Sequence, residues 1–149
     1  MKTKITVDGF RDVERALAGL EKEVSRRSVA RSALKKGGAV FASTARRLSP
    51  IDDGALRRSI GVGTKLDKAA RAGHVRKDPV EVFAGAGPVP QAVQQEFGNE
   101  NHPAQPFMRP AWDSQKDWAL AAIQNELEDA TDRAIKRQVK RNAKKKARR

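Results

Sequence analysis

Cysteine and tyrosine are absent from this chain of 149 residues, and histidine, methionine and tryptophan occur only twice each. Without a thiol there is no disulfide framework, no thiolate nucleophile and no cysteine zinc site, and the redox compartment cannot be read. Without a phenol, and with only His74 and His102, the stock of general acids and bases is thin. No run approaches about eighteen apolar residues, so no membrane span is expected. The opening MKTKITVDGF has no apolar stretch after its lysines, so a signal peptide is not expected either. Those absences point to a soluble protein made in the cytoplasm. With 38% hydrophobic residues the chain suits one modest core rather than a large one.

What remains gives little catalytic chemistry. Each histidine stands beside Gly or Pro, without a second histidine or a carboxylate at metal-ligand spacing. The glycine pairs in GVG (61–63) and AGAG (84–87) lack the Gly, Lys and following helix that a phosphate-binding loop needs. No serine sits in a nucleophile elbow. Asp52 and Asp53 with Glu81 or Glu96 could in principle gather oxygens for Mg²⁺, as in a nuclease, but adjacent aspartates in a turn are far more often caps. No catalysis, metal or cofactor is therefore expected.

Positive charge is abundant, and its placement is uneven. The net charge is +13. Residues 133–149 hold ten Lys or Arg and no acid, whereas residues 1–132 hold 21 basic and 18 acidic side chains. The chain therefore divides into a nearly balanced domain, 1–132, and a basic extension, 133–149, helical or partly disordered. On a helix Arg133, Arg137, Arg141, Lys145 and Arg149 form one row, and Lys136, Lys140, Lys144 and Arg148 a second. With Lys146, these are the candidate contacts to DNA or to an acidic partner. The extension holds no aromatic, so contact with nucleic acid would be to phosphate and independent of sequence. A stand-alone, sequence-nonspecific nucleic-acid-binding protein is the alternative reading.

Periodicity predicts an α+β fold: a small, mainly antiparallel sheet against two N-terminal helices and a long C-terminal helix. Ile5 and Val7 alternate as a short strand, with Asp8 as a helix cap. Phe10, Val13, Leu17, Leu20 and Val24 form the stripe of a first helix. Val29, Ala33, Gly37, Val40, Thr44 and Leu48 form that of a second, whose small residues suit close packing unless Gly37 and Gly38 kink it. SPIDDGALRRSI (49–60) stops that helix at Pro50 and starts a turn through Leu56 and Arg57, with Asp52 and Asp53 as capping acceptors. Ile60, Val62 and Leu66, then Val80, Val82, Ala84 and Ala86, read as two strands joined by a polar hairpin loop. A short helix over 91–97 follows, and Leu120, Ile123, Leu127, Ala130 and Ala134 mark the last and longest.

Between those two helices lies QQEFGNENHPAQPFMRPAWD (94–113). Pro103, Pro106 and Pro110 forbid helix until about Pro110, where proline suits a first turn and Asp113 suits the helix dipole. The segment therefore reads as a stiff strap pinned by Phe97, Phe107 and Met108. It either stitches the last helix to its own subunit or meets another chain.

Two segments together resemble the small neck proteins of tailed bacteriophages, described variously as head-tail joining, tail-completion or minor tail components. SPIDDGALRRSI matches one signature at Pro50, Asp52, Gly54, Leu56, Arg57, Ser59 and Ile60. The strap matches the other at Glu96, Phe97, Gly98, Pro103, Ala104, Pro106, Phe107, Arg109, Pro110 and Ala111. Asp53 and Asn99 stand where the family has Thr, and Met108 where it has Leu. The order of elements agrees over about residues 3–130. The resemblance implies structural work without catalysis: a virion protein forming a ring, of six copies by analogy, at the head-tail junction around the DNA passage. Its partners would be copies of itself, portal-side or tail-tube neck proteins and packaged DNA, with no membrane. Candidate subunit or partner contacts are Asp52, Arg57, Glu96, Phe97, Pro106, Phe107, Arg109 and Trp112, with Glu96 and Arg109 as partners in a polar contact.

Overall fold

The computed structural model of the protein describes residues 10–20, 22–52 and 54–148. The expected strand at Ile5 and Val7, its cap Asp8, and Asp53 lie outside them. Helix α1 spans Phe10–Ala18 and α2 spans Glu23–Leu48. After the turn helix α3 (Ala55–Ser59) come β1 (Gly61–Gly63), α4 (Lys68–Ala72) and β2 (Phe83–Gly85). Helices α5 (Pro90–Phe97) and α6 (Met108–Lys146) complete the chain. The α+β class and its two N-terminal helices, small antiparallel sheet and long C-terminal helix match the periodicity.

The details depart from it in three places. The first apolar stripe is cut after Ala18, so Val24 belongs to α2; the Arg26 guanidinium donates to the carbonyls of Ala18 and Leu20 and closes the end of α1. The strands are shorter than the alternation suggests: β1 and β2 hold three residues each, paired Gly61 to Gly85, Val62 to Ala84 and Gly63 to Phe83. The loop between them contains α4, nucleated by Asp67, whose carboxylate accepts from the N–H groups of Ala69 and Ala70 at 2.8 and 2.9 Å. Helix α2, as expected of a closely packed helix, runs through Gly37 and Gly38 without a break.

That glycine pair explains how two layers meet on one helix. A Cβ on Gly37 would lie 2.4 Å from Ile123 Cγ1 and 3.0 Å from the Ala119 carbonyl, so this position lets α6 approach. A Cβ on Gly38 would meet Val62 at 3.0 Å and Ala84 at 3.4 Å, so the neighbouring position admits the sheet. The close packing expected of the small residues of α2 is found on two sides, and the alternative, a kink at the glycines, is not taken. Helices α2 and α6 run antiparallel, with Phe41 beside Trp112, Gly37 beside Ile123, and Ser32 bonded to Glu126 at 2.7 Å. The Ser32 hydrogen bond holds the Glu126 carboxyl below its usual range, against the opposing effect of its burial and with Arg133 assisting.

Two apolar clusters make the core. Leu20, Val29, Ala33, Leu127, Ala130 and Ala134, with Leu17 of α1 packed against them, join the turn after α1 and the first half of α2 to the middle of α6. Phe41, Ala42, Ala45, Leu56, Ile60, Phe107 and Ala111 join the other end of α2 to α3 and the start of α6. At about 1.5 Å per residue, α6 is about 58 Å long and α2 about 39 Å, so α6 overhangs. Its packed part reaches past residue 132 to Ala134, Ile135 and Gln138, whose amide reaches the Gly19 carbonyl at 3.5 Å.

Candidate functional site

The strap begins where α5 ends. Gly98 has φ 74° and ψ 178°, a backbone that side chains rarely adopt, and a Cβ there would lie 2.8 Å from the Ala104 nitrogen. The chain then turns through Asn99–His102, whose backbones bond each other at 2.8 and 3.2 Å, while the Asn99 side chain accepts from the Asn101 N–H. Gln105 N–H donates to the Gln95 carbonyl at 2.7 Å, fastening the strap back on α5.

Its far end carries the main polar feature. Helix α6 begins after Phe107, a residue with no capping side chain, and has no acid in its first turn. Glu96, reaching across from α5, supplies the cap. Its Oε2 accepts from the N–H groups of Phe107 and Met108, both at 2.9 Å, and its Oε1 from the Arg109 N–H at 3.1 Å and Nε at 2.9 Å. A carboxylate facing three of the free N–H groups at the positive end of a long helix is well placed electrostatically. Burial pushes Glu96 up, but the hydrogen bonds from Met108, Phe107 and Arg109 outweigh it and hold the carboxyl below its usual range. The charge expected from Asp113 therefore comes from Glu96; Asp113 lies beyond the first turn and is exposed. No local pattern announces a cap eleven residues upstream, although the lack of Ser, Thr, Asp or Asn before α6 is the clue that one is needed.

Arg109 completes the clamp. Besides the Glu96 carboxylate it holds the Glu96 carbonyl at 2.9 Å, and its guanidinium lies 5.1 Å above the Phe97 ring. The polar pairing of Glu96 with Arg109 thus lies within one subunit. Phe107, with 0% exposure, fills the second core cluster with Leu56 and Ile60, so the two signature segments, far apart in sequence, meet in one core.

The candidate contact residues separate by accessibility. Glu96 and Phe107 are taken up inside the subunit, whereas Phe97 is 67% and Trp112 54% exposed, the latter edge-on to Phe41. Pro106 and Asp52 are exposed. Arg57 is half-buried; it donates to the Ser49 carbonyl at 3.4 Å, and its Nε is buried without a hydrogen-bond partner among the described residues. The turn helix α3 has Gly54, φ 77°, at its N-cap. An apolar groove of about 690 Å³ opens beside Phe97, lined by Ala86, Val89, Ala92, Val93 and Met108. Val93 on its rim is 64% exposed. Sequence periodicity does not show this groove, because the strap, the strand end and α5 build it jointly.

The basic extension continues α6 to Lys146. Lys136, Arg137, Lys140, Arg141, Lys144, Lys145, Lys146 and Arg148 are exposed, while Arg149 lies outside the described residues. Arg133 is engaged with Glu126 at 2.7 Å. The histidines differ from expectation in one respect: His74 has a carboxylate partner, Glu81, at 2.9 Å, and packs edge-on to Phe83. Hydrogen bonds from the Lys77 N–H and from His74 hold Glu81 below its usual range. Among the described residues no helix is long and apolar enough to cross a membrane.

A family model described as "Bacteriophage HK97-gp10, putative tail-component" matches residues 11–98, from α1 to the end of α5. The chain belongs to this HK97-gp10-like family. It is a phage tail component, a structural part of the virion whose neighbours are other phage proteins. The match takes in the first signature and the Glu96–Phe97–Gly98 start of the second; the rest of the strap and α6 lie beyond it. No curated protein and no solved structure matches the chain.

Proposed function

We propose that this HK97-gp10-like protein is a subunit of the phage neck, assembling with copies of itself into a ring that joins or completes the head-tail connection around the DNA passage, and that it performs no catalysis. The observation that carries this reading is the construction of the strap. Its two ends are fastened internally by Glu96, Arg109 and the bonds to α5, so it is stiff before any partner arrives. Yet it presents Phe97 and Trp112 to solvent, the former beside an apolar groove. A rigid surface with exposed aromatics loses little entropy on docking and fits a permanent contact. The basic overhang of α6 is assigned to the DNA passage or to an acidic neck protein.

The test is complementation of a phage that lacks the protein. The wild-type chain restores joined particles, with a ring of density at the neck in negative stain. A Phe97→Ser, Val93→Ser chain, altered on surface residues only, keeps its helical circular dichroism and leaves heads and tails unjoined. Normal particles from that variant remove the strap from the contact, and a label on the protein found along the tail shaft or at its tip removes the neck.

A further inference from the structure

The near neutrality of residues 1–132 conceals two opposite surfaces. From Met108 to Asp132, α6 holds six acids and two bases. Asp113, Asp117, Glu128 and Asp132 recur at near-helical spacing on one face, with Ala121 and Asn125 between them, and all are exposed. Trp118, 70% exposed, stands at the edge of that face. Among the described residues no ion pair reaches these four acids. The loop joining β1 to β2 is the reverse: residues 64–78 hold five bases and two acids, and Asp67 is spent capping α4. It lies over Arg31 of α2, which extends the basic surface, and its tip carries Val75, 75% exposed, beside Arg76 and Lys77.

We infer that the basic loop of one copy docks on the acidic outer face of α6 in a second copy. This rests on the ring reading above and names the contact that would repeat around the ring. Three features choose a second copy as the occupant. The charges are complementary, which favours encounter and fixes register. The acidic face borders an apolar groove of about 560 Å³, lined by Phe41, Val82, Trp112 and Leu120 and edged by Asp117, next to which an exposed valine tip finds cover. And the two surfaces are different parts of the subunit, so the contact is head-to-tail, the kind that closes into a ring when its rotation divides the circle.

The experiment uses the full chain in sedimentation velocity at low salt, with circular dichroism as the check on folding. One variant reverses the helix face (Asp117→Lys, Glu128→Lys, Asp132→Lys) and another the loop (Lys65→Glu, Lys68→Glu, Lys77→Glu). Wild-type protein associates, and its association weakens with salt. Each variant alone loses at least tenfold in affinity, and an equimolar mixture of the two recovers it, because each reversed face then meets a reversed partner. A wild-type chain that stays monomeric at its solubility limit overturns the inference. So does a variant that associates as wild type does; if such a chain still forms the neck ring in particles, the ring stands and this contact alone is removed. A loop variant that loses affinity for duplex DNA while associating normally also overturns it and reassigns the loop to nucleic acid.

Discussion

At the scale of single residues, Glu96 is the position on which the candidate site turns. Replacing it with Gln keeps the shape and one acceptor oxygen but removes the charge facing the start of α6. Hydrogen bonds to buried charged groups contribute about 1.5–3 kcal/mol each, and a lost acceptor leaves an N–H unsatisfied. Glu96→Gln is therefore expected to lower unfolding free energy by about 2–3 kcal/mol at neutral pH in urea titration. Because the folded carboxyl sits below its usual range, its contribution is complete above the ordinary carboxylate pKa and fades as pH falls through the depressed one. The gap between wild type and variant should accordingly be constant from pH 7 to about 5 and narrow below about pH 4.5. A gap that widens in acid would mean the carboxylate is not held by these donors. Gly98→Ala tests the other end of the strap: with φ 74° and backbone on two sides, it should cost about 2 kcal/mol or more. Arg109 is more exposed than Glu96, so Arg109→Ala should cost only about 1 kcal/mol in the same titration.

At the scale of elements, legibility followed the physics of each signal. Helices α2 and α6 are long, so their three-and-four periodicity is repeated often enough to stand out. The strands are three residues long and could not be bounded, since alternation through Val80 and Val82 continues where no pairing does. Helix α4 was hidden because its five residues, Lys68–Ala72, include no large apolar side chain to set a period, and only Asp67 marks its start. The strap was legible as stiff from Pro103, Pro106 and Pro110, but not as a capping device, because the carboxylate and the N–H groups it serves belong to different helices. Gly37 shows the same limit: a glycine in a helix signals a kink or a close contact, and only the partner decides. Here Ile123 and the Ala119 carbonyl decide for contact. Gly37→Val would gain helix propensity yet force α6 away, and overpacking of this kind costs about 1–3 kcal/mol. Thermal melting should show the loss, whereas Gly73→Ala, where an added Cβ meets nothing, should leave the midpoint unchanged or raise it slightly.

At the scale of the molecule, composition located the excess charge but not the boundary between packed and free helix. Charge counting places that boundary at residue 132, yet Ala134 and Ile135 still belong to the first core cluster and Gln138 still touches the turn after α1. Two shortened chains separate the structural and electrostatic parts of α6. One ending at Val139 keeps every packed residue and should unfold within about 0.5 kcal/mol of the full chain. One ending at Asp132 strips Ala134 and Ile135 from the core and should lose about 2–3 kcal/mol. The Val139 chain then isolates the overhang, since it lacks Lys140, Arg141, Lys144, Lys145, Lys146, Arg148 and Arg149 and little else. If those side chains meet phosphate, each contact contributes about 0.9 to the slope of log affinity against log salt. Duplex DNA titrated at several salt concentrations should then show a slope shallower by up to about 6 for the shortened chain. An unchanged slope, with folding intact, would take the overhang off the DNA and leave an acidic phage protein as its candidate partner.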